Sequence, residues 1–272
     1  MNPLLRQNSE LRADRIWNWT LPAGPTTLPD GRRANPCPNA EACLALCYAR
    51  EGTFRFPAVA LAHQRNLMMV LDDPERWERR ICSEIAQKRF RATGSRRDDL
   101  LPQIDRTDRW TIGWAMNGGA AVRIHDAGDF FSDAYLEAWL RIARRFVDVL
   151  FYAYTKEVDR FRRLVEPDPP QNFRWIYSLG GKQDHLLDLE GDRHAEVFVE
   201  SEDLSSAGYL DQASSDLLAV LLPSNRIGIA ANNHPHLKRK MAGRSFGEIQ
   251  IERDERRASR MGHDVSHETD ER

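Results

Sequence analysis

The sequence predicts an α/β fold: a partial TIM-like (β/α) barrel with parallel strands and a helical insertion after an N-terminal cysteine loop. From residue 121 onward, short apolar runs rich in β-branched and aromatic residues alternate with helical segments. Successive runs start roughly 20–30 residues apart, which is typical of βα units and of a parallel sheet. One further apolar run near the N-terminus provides a first strand. The predicted strands are 16–21, 121–125, 149–154, 173–178, 195–200 and 226–230.

The segment between the strands predicted at 121–125 and 149–154 is a predicted helix. Ser132 is a suitable N-cap residue, because its hydroxyl can accept a backbone N–H of the first turn. Residues 110–120 are compatible with a strand or with the end of a helix. Apolar residues after Ser132 recur at helical spacing, which indicates one buried face: Leu136, Trp139, Leu140, Ala143 and Phe146.

The chain is predicted to form one α/β domain over residues 1–252. Within it, the cysteine loop occupies 35–56, a helical segment occupies 57–90, and the βα repeats occupy 121–235. Residues 253–272 contain almost no apolar side chains, so we expect a disordered, charged tail there.

The composition is that of an ordinary globular protein, with 41% hydrophobic and 29% charged residues and a net charge of −2. No run approaches the roughly 20 apolar residues needed to cross a bilayer. The N-terminus lacks the apolar stretch of a secretory signal. We therefore expect a cytoplasmic protein with no membrane partner.

Three of the four cysteines form a compact group, with the spacing C-x5-C-x3-C: Cys37, Cys43 and Cys47. Thiols stay reduced in the cytosol, so such a group indicates a metal or reactive site more than a disulfide. Zinc usually requires paired C-x2-C motifs and four ligands. The spacing therefore favours an iron–sulfur cluster, most simply [4Fe–4S]. Cys82 is either a fourth ligand or a buried thiol in a helix.

Polar residues follow each predicted strand from residue 121 onward, where the ends of parallel strands meet at one edge of the sheet. They either mark loops or form a site. As a site, the predicted catalytic residues are His125, Asp126, Asp129 and Lys156, and the predicted cofactor-binding residues are Tyr48, Arg123, Ser178, Glu200 and Asn232.

A three-cysteine loop before a partial barrel resembles the radical S-adenosylmethionine (SAM) superfamily, although that superfamily's usual spacing is C-x3-C-x2-C. This resemblance implies SAM as a second cofactor. Three motifs together resemble a narrower family, the "gene product 88" family of actinobacteriophages, over roughly residues 30–235. They run from Asn35-Pro36-Cys37 to Cys47-Tyr48-Ala49, from Arg123 to Phe130, and from Phe151 to Lys156. This second resemblance implies a phage origin and a location in the host cytoplasm.

The functional hypothesis is a cluster-dependent enzyme of radical-SAM-like architecture that acts on an unknown small-molecule or macromolecular substrate. The first alternative is an iron–sulfur protein that does not use SAM. The second is a phage protein that binds nucleic acid and has a structural metal site. The arginine-rich residues 88–97 could contact phosphates, but with no interleaved aromatic residue beyond Phe90 they favour a solvated loop.

Overall fold

The computed structural model describes residues 3–231 and 234–267, with the side chains of the last helix described as far as Arg260. The strands are β1 (Ile16–Trp19), β2 (Thr26–Thr27), β3 (Arg33–Ala34), β4 (Ala121–Ile124), β5 (Leu150–Thr155), β6 (Phe173–Ser178), β7 (His194–Phe198), β8 (Leu210–Asp211) and β9 (Arg226–Ala230).

The α-helices connect and cover these strands. They are α1 (Ser9–Ala13), α2 (Ala42–Leu46), α3 (Pro57–Asp72), α4 (Pro74–Ile85), α5 (Arg109–Met116), α6 (Asp133–Arg145), α7 (Val158–Leu164), α8 (Ser201–Ser206), α9 (Leu218–Leu221), α10 (Pro235–Met241) and α11 (Phe246–His267). None of the described helices is both long enough and apolar enough to span a membrane.

Seven strands form one sheet in the order β1-β4-β5-β6-β7-β9-β8, and every neighbouring pair is parallel. β1 and β8 are its two edges, so the sheet does not close into a barrel within the described part of the chain. The predicted α/β fold with a partial, TIM-like sheet is thereby confirmed. The short β2 and β3 form a separate antiparallel pair.

One face of the sheet packs against helices that follow or precede its strands. Successive side chains of a strand point to opposite faces, so Trp19 and Ile124 both face this layer. They join one buried cluster with Trp77 of α4 and Trp139 of α6, none of which is exposed to solvent. Ser132 caps α6 as predicted, its hydroxyl accepting the N–H of Tyr135 at 3.3 Å.

The opposite face is concave and carries a smaller apolar cluster toward the amino ends of the strands. Ile16 and Tyr152 pack there with Leu218 of α9 and Trp114 of α5. Residues 110–120, which could have been strand or helix, contain most of α5. At the carboxyl ends of the strands this face is instead lined by polar groups, which form the candidate site.

The strand predictions at 173–178 and 226–230 match β6 and β9, and the others shift by one or two residues. Strand β8 was not predicted, because two exposed residues give no periodic signal. The tail predicted from residue 253 instead continues α11 to His267, while residues 268–272 lie outside the described chain. Gln250 anchors this helix by accepting the N–H of Ala42 at 3.0 Å.

Candidate functional site

The cysteine loop lies across the carboxyl ends of β4 and β6. The N–H of Asp129, just after β4, donates to the carbonyl of Pro36 at 2.7 Å, and the N–H of Cys43 donates to the carbonyl of Gly180 at 2.9 Å. Gly180 has φ +95°, and a Cβ there would lie 3.2 Å from the Cys43 nitrogen. A glycine is therefore needed for the loop to reach the sheet edge.

The three loop thiols lie close enough to influence one another's ionisation. Burial raises the pKa of Cys37, and negative charge on Asp129, Cys43 and Cys47 raises it further. Burial raises the pKa of Cys47 to about 12, with a further contribution from Cys43. Both thiols are therefore protonated at neutral pH, and a protonated thiol is a poor nucleophile.

The surroundings of the thiols differ, and they bear on the predicted iron–sulfur function. Cys43 packs against the apolar cluster between α2, α10 and α11, whereas the sulfur of Cys37 accepts the N–H of Gly24 at 3.3 Å. Among the described residues, no group of three or more His, Cys, Asp or Glu side chains is placed to hold a metal ion. The predicted function as an iron–sulfur enzyme of radical-SAM-like architecture is therefore wrong. The two alternatives, an iron–sulfur protein that does not use SAM and a nucleic-acid-binding protein with a structural metal site, are wrong for the same reason.

Cys82 lies apart from the loop. It is buried on α4 in the apolar layer between the helices and the sheet. Its charged neighbours are Arg145 and Glu78, and burial raises its pKa. These surroundings match the buried thiol that the sequence left open as the alternative to a ligand.

Asp129 and Lys156 hold the ends of β4, β5 and β6 together. The carboxylate of Asp129 accepts the hydroxyl of Thr155 at 2.7 Å and the N–H of Lys156 at 2.8 Å. Burial raises the pKa of Asp129, while these hydrogen bonds oppose the rise. The ammonium of Lys156 donates to the carbonyl and the hydroxyl of Ser178, at 2.9 and 2.7 Å. Ser178 is thus a partner of Lys156.

Glu157 is a buried acid beneath the loop that the sequence analysis missed. Its side chain is 2% exposed and forms an ion pair with Arg160. Burial and the neighbouring Asp129 raise the pKa of Glu157 to about 8, against the opposing effect of Arg160. The signal for it was present, since an acid directly after Lys156 at a strand end is as unusual as the lysine itself.

His125 faces the helical layer. Its Nε2 lies 2.8 Å from the hydroxyl of Tyr135, and that oxygen accepts the indole N–H of Trp19 at 2.8 Å. The Tyr135 proton is then available for Nε2, which places the histidine proton on Nδ1. Burial lowers the pKa of His125 to about 3, with a contribution from Arg123, so the ring is neutral at pH 7.

Arg123 and two carboxylates form a charged cluster on the concave face. A guanidinium nitrogen of Arg123 lies 3.3 Å from Asp216 and 3.7 Å from Asp126. The hydroxyl of Tyr152 donates to Asp216 at 2.5 Å. The side chains of Arg123 and Asp216 are each 17% exposed and that of Asp126 is 24% exposed, so the cluster is partly open to solvent.

Tyrosine rings enclose the cluster. The Arg123 guanidinium lies 5.4 Å from the ring centroid of Tyr154, a distance typical of a cation–π contact. The Tyr48 hydroxyl lies 2.6 Å from the carbonyl oxygen of Asp126 and 3.0 Å from its carboxylate. We name this site the strand-end chamber and define it by Tyr48, Arg123, Asp126, Tyr152, Tyr154 and Asp216.

The chamber contains three residues that the sequence analysis predicted, Tyr48, Arg123 and Asp126, and three that it missed. Arg123 of β4 pairs with Tyr152 of β5, so the two side chains lie on the same face of the sheet. Tyr154 is two residues further along β5, and side chains alternate along a strand, so it lies on that face as well. Asp216 lies in an irregular segment before α9, and nothing in its sequence context indicates a site.

Of the remaining predicted cofactor-binding residues, one lies away from the chamber and one is not described by the structure. Glu200 caps α8 and forms an ion pair with Lys238 at 2.6 Å, away from the residues that define the chamber. Its side chain is 48% exposed. Asn232 lies outside the described residues.

Residues 2–261 match the family described as Gene product 88. The chain belongs to this family. A 34-residue segment is 59% identical to the "Gene 88 protein" of Mycobacterium phage D29, a match that covers 12% of this chain and 14% of that relative. No solved structure matches the chain.

The Gene product 88 match confirms the narrower of the two resemblances, and the mycobacteriophage relative supports the bacteriophage assignment. The radical-SAM resemblance gains no support from these comparisons. The matched region of the Gene product 88 chain includes the whole cysteine loop and every residue of the strand-end chamber.

Proposed function

We propose that this Gene product 88 protein binds a small, positively charged molecule that carries an α-amino-acid group, and that the strand-end chamber is its binding site. The observation that carries this proposal is the pairing of one arginine with two partly exposed carboxylates, Asp126 and Asp216, at the carboxyl edge of a parallel sheet. Ligands of α/β proteins commonly bind at this edge.

The arginine provides the anchor for a carboxylate. Asp216 and Asp126 raise the pKa of Arg123 above its ordinary value, against the effect of burial, so the guanidinium remains charged. Its Nε is buried and has no hydrogen-bond partner among the described residues. When Tyr48 moves aside, a ligand carboxylate could accept a hydrogen bond from this nitrogen. The Nε–H would then have the partner that it lacks in the free protein.

The two aspartates provide the complementary half of the site. They outnumber the single arginine, so the chamber carries excess negative charge and favours a ligand with net positive charge. An ammonium group can pair with the carboxylate oxygens that remain after Arg123 and the tyrosines have bound theirs. The rings of Tyr48 and Tyr154 suit a cation through their negatively polarised faces.

SAM is a suitable probe because it combines an α-amino-acid group with a positively charged sulfonium. S-adenosylhomocysteine lacks the sulfonium charge, and methionine lacks the adenosine, so the three ligands separate the contributions of charge and size. The proposal concerns binding alone and involves no cluster and no radical step.

Isothermal titration calorimetry with these three ligands tests the proposal. We expect SAM to bind more tightly than S-adenosylhomocysteine, and Arg123→Gln to weaken SAM binding by about tenfold or more, the loss of one charged hydrogen bond. Asp216→Asn should weaken SAM more than S-adenosylhomocysteine, because it removes negative charge.

Arg174→Gln is the matched control, since Arg174 lies on neighbouring β6 and pairs with Asp108 at 2.7 Å, outside the chamber. It should leave ligand binding unchanged. The proposal fails if none of the three ligands binds, or if the chamber variants bind them as tightly as Arg174→Gln does.

A further inference from the structure

A second cavity lies at the opposite end of the sheet, beside the amino ends of β4 and β5. Its volume is about 710 Å³, within the range of small-molecule sites. Part of its wall is formed by Gly119, just before β4, and by Val149, the residue before β5. The remaining walls come from the end of α4, from α5 and from the segment after α6. We name it the amino-end cavity.

The charge of this cavity is predominantly positive. Among the described residues that line it, Arg91, Arg109 and Arg145 face a single acid, Asp148. In the described part of the chain, the side chains of Arg91 and Arg109 make no hydrogen bond and no ion pair, and both residues are exposed. Arg145 lies over the ring of Phe146, with its guanidinium 5.7 Å from the ring centroid.

Aromatic rings lie beside these arginines. Trp110 lines the cavity, and the guanidinium of Arg174 lies 5.6 Å from the centroid of its indole. The indole N–H donates to the carbonyl of Val147 at 3.2 Å, which fixes the ring against the segment after α6. A ring held in this way offers a surface on which a base can stack. Phe90 forms an apolar part of the wall.

We propose that the amino-end cavity binds a nucleoside phosphate. Its base stacks on Trp110, and its phosphate pairs with Arg91 and Arg109. Arginine suits this role because its planar guanidinium can donate two parallel hydrogen bonds to phosphate oxygens. This site is separate from the strand-end chamber, so the two proposals stand or fall independently.

Adenosine 5′-monophosphate (AMP), adenosine and inorganic phosphate are the probes, with binding measured by calorimetry and by tryptophan fluorescence. We expect AMP to bind and adenosine to bind at least about tenfold more weakly. Arg91→Ala and Arg109→Ala should each weaken AMP by about tenfold, the effect of one charged hydrogen bond. The affinity should also fall as salt is added, because exposed charges are screened.

Arg141→Ala is the matched control, because Arg141 lies on α6 outside the cavity and pairs with Glu78 at 2.7 Å. It should bind AMP like the unaltered protein, and circular dichroism should show all three variants folded. The proposal is overturned if AMP does not bind, if adenosine binds as tightly as AMP, or if both cavity variants retain full affinity. Binding of an oligonucleotide without binding of AMP would also overturn it.

Discussion

The two ends of the sheet hold arginines in opposite circumstances. At the carboxyl end, Arg123 lies between two carboxylates and beneath tyrosine rings. At the amino end, Arg91 and Arg109 are exposed and have no carboxylate partner among the described residues. The comparison shows that arginine serves two purposes in this fold: one arginine is part of the packed structure, and the others contribute charge to a cavity at little structural cost.

Removing Arg123 should produce the largest effect. Arg123→Met leaves Asp126 and Asp216 without their cation, and breaking a largely buried ion pair typically costs about 3–5 kcal/mol. We expect the free energy of unfolding, measured by urea denaturation at pH 7, to fall by about that amount. A decrease of less than about 1 kcal/mol would show that the Arg123 cluster is solvated. Arg123 would then contribute no more to stability than the exposed arginines at the amino end, which contradicts the comparison.

A pH titration of stability should report the burial of His125 at the carboxyl end. The pKa of His125 is lowered to about 3 in the folded protein, whereas an unfolded histidine titrates near its ordinary value of 6.5. Between these values the unfolded chain binds one more proton than the folded protein. The contribution of His125 to stability is therefore fully present above pH 6.5 and decreases below it, by up to about 1.4 kcal/mol per pH unit. Glu157 contributes in the opposite direction, because its raised pKa favours the folded protein as the pH falls.

His125→Gln should remove this part of the pH dependence, as measured by urea denaturation between pH 7 and pH 4.5. His185→Gln is the control, because His185 is exposed. If the two variants lose stability in parallel as the pH falls, the titration of His125 does not contribute.

The smallest effect is expected at the amino end. Arg91→Ala removes a side chain without a partner among the described residues, so the free energy of unfolding should change by less than about 0.5 kcal/mol. Arg97→Ala sharpens the comparison, because Arg97 donates to the carbonyl of Gly119 at 2.7 Å and lies over Trp114. It should cost about 1 kcal/mol. Equal losses would mean that Arg91 also has a structural role.

Local patterns predicted the fold more successfully than the site. The alternation of apolar runs placed β6 and β9 correctly, and Ser132 marked the start of α6, because these features depend on a few neighbouring residues. The role of Ser178 could not be predicted, because it depends on Lys156 reaching across from the adjacent strand.

The cysteine spacing illustrates the limit of motif analysis. C-x5-C-x3-C fixes the distance between thiols along the chain but not the direction in which each side chain points. The contact of Cys43 with the α10 and α11 layer involves segments far away in sequence, and the sulfur of Cys37 is bound by Gly24, 13 residues earlier. Asp216 shows the same limit, since only tertiary packing brings it to Arg123.

The anchoring of the loop by α11 affects how the protein is made. Gln250 accepts the N–H of Ala42 across 208 positions of sequence. During translation the early thiols leave the ribosome long before their last covering element exists. Cys43 therefore gains the packing of α11 only after the chain from Phe246 onward has been synthesised.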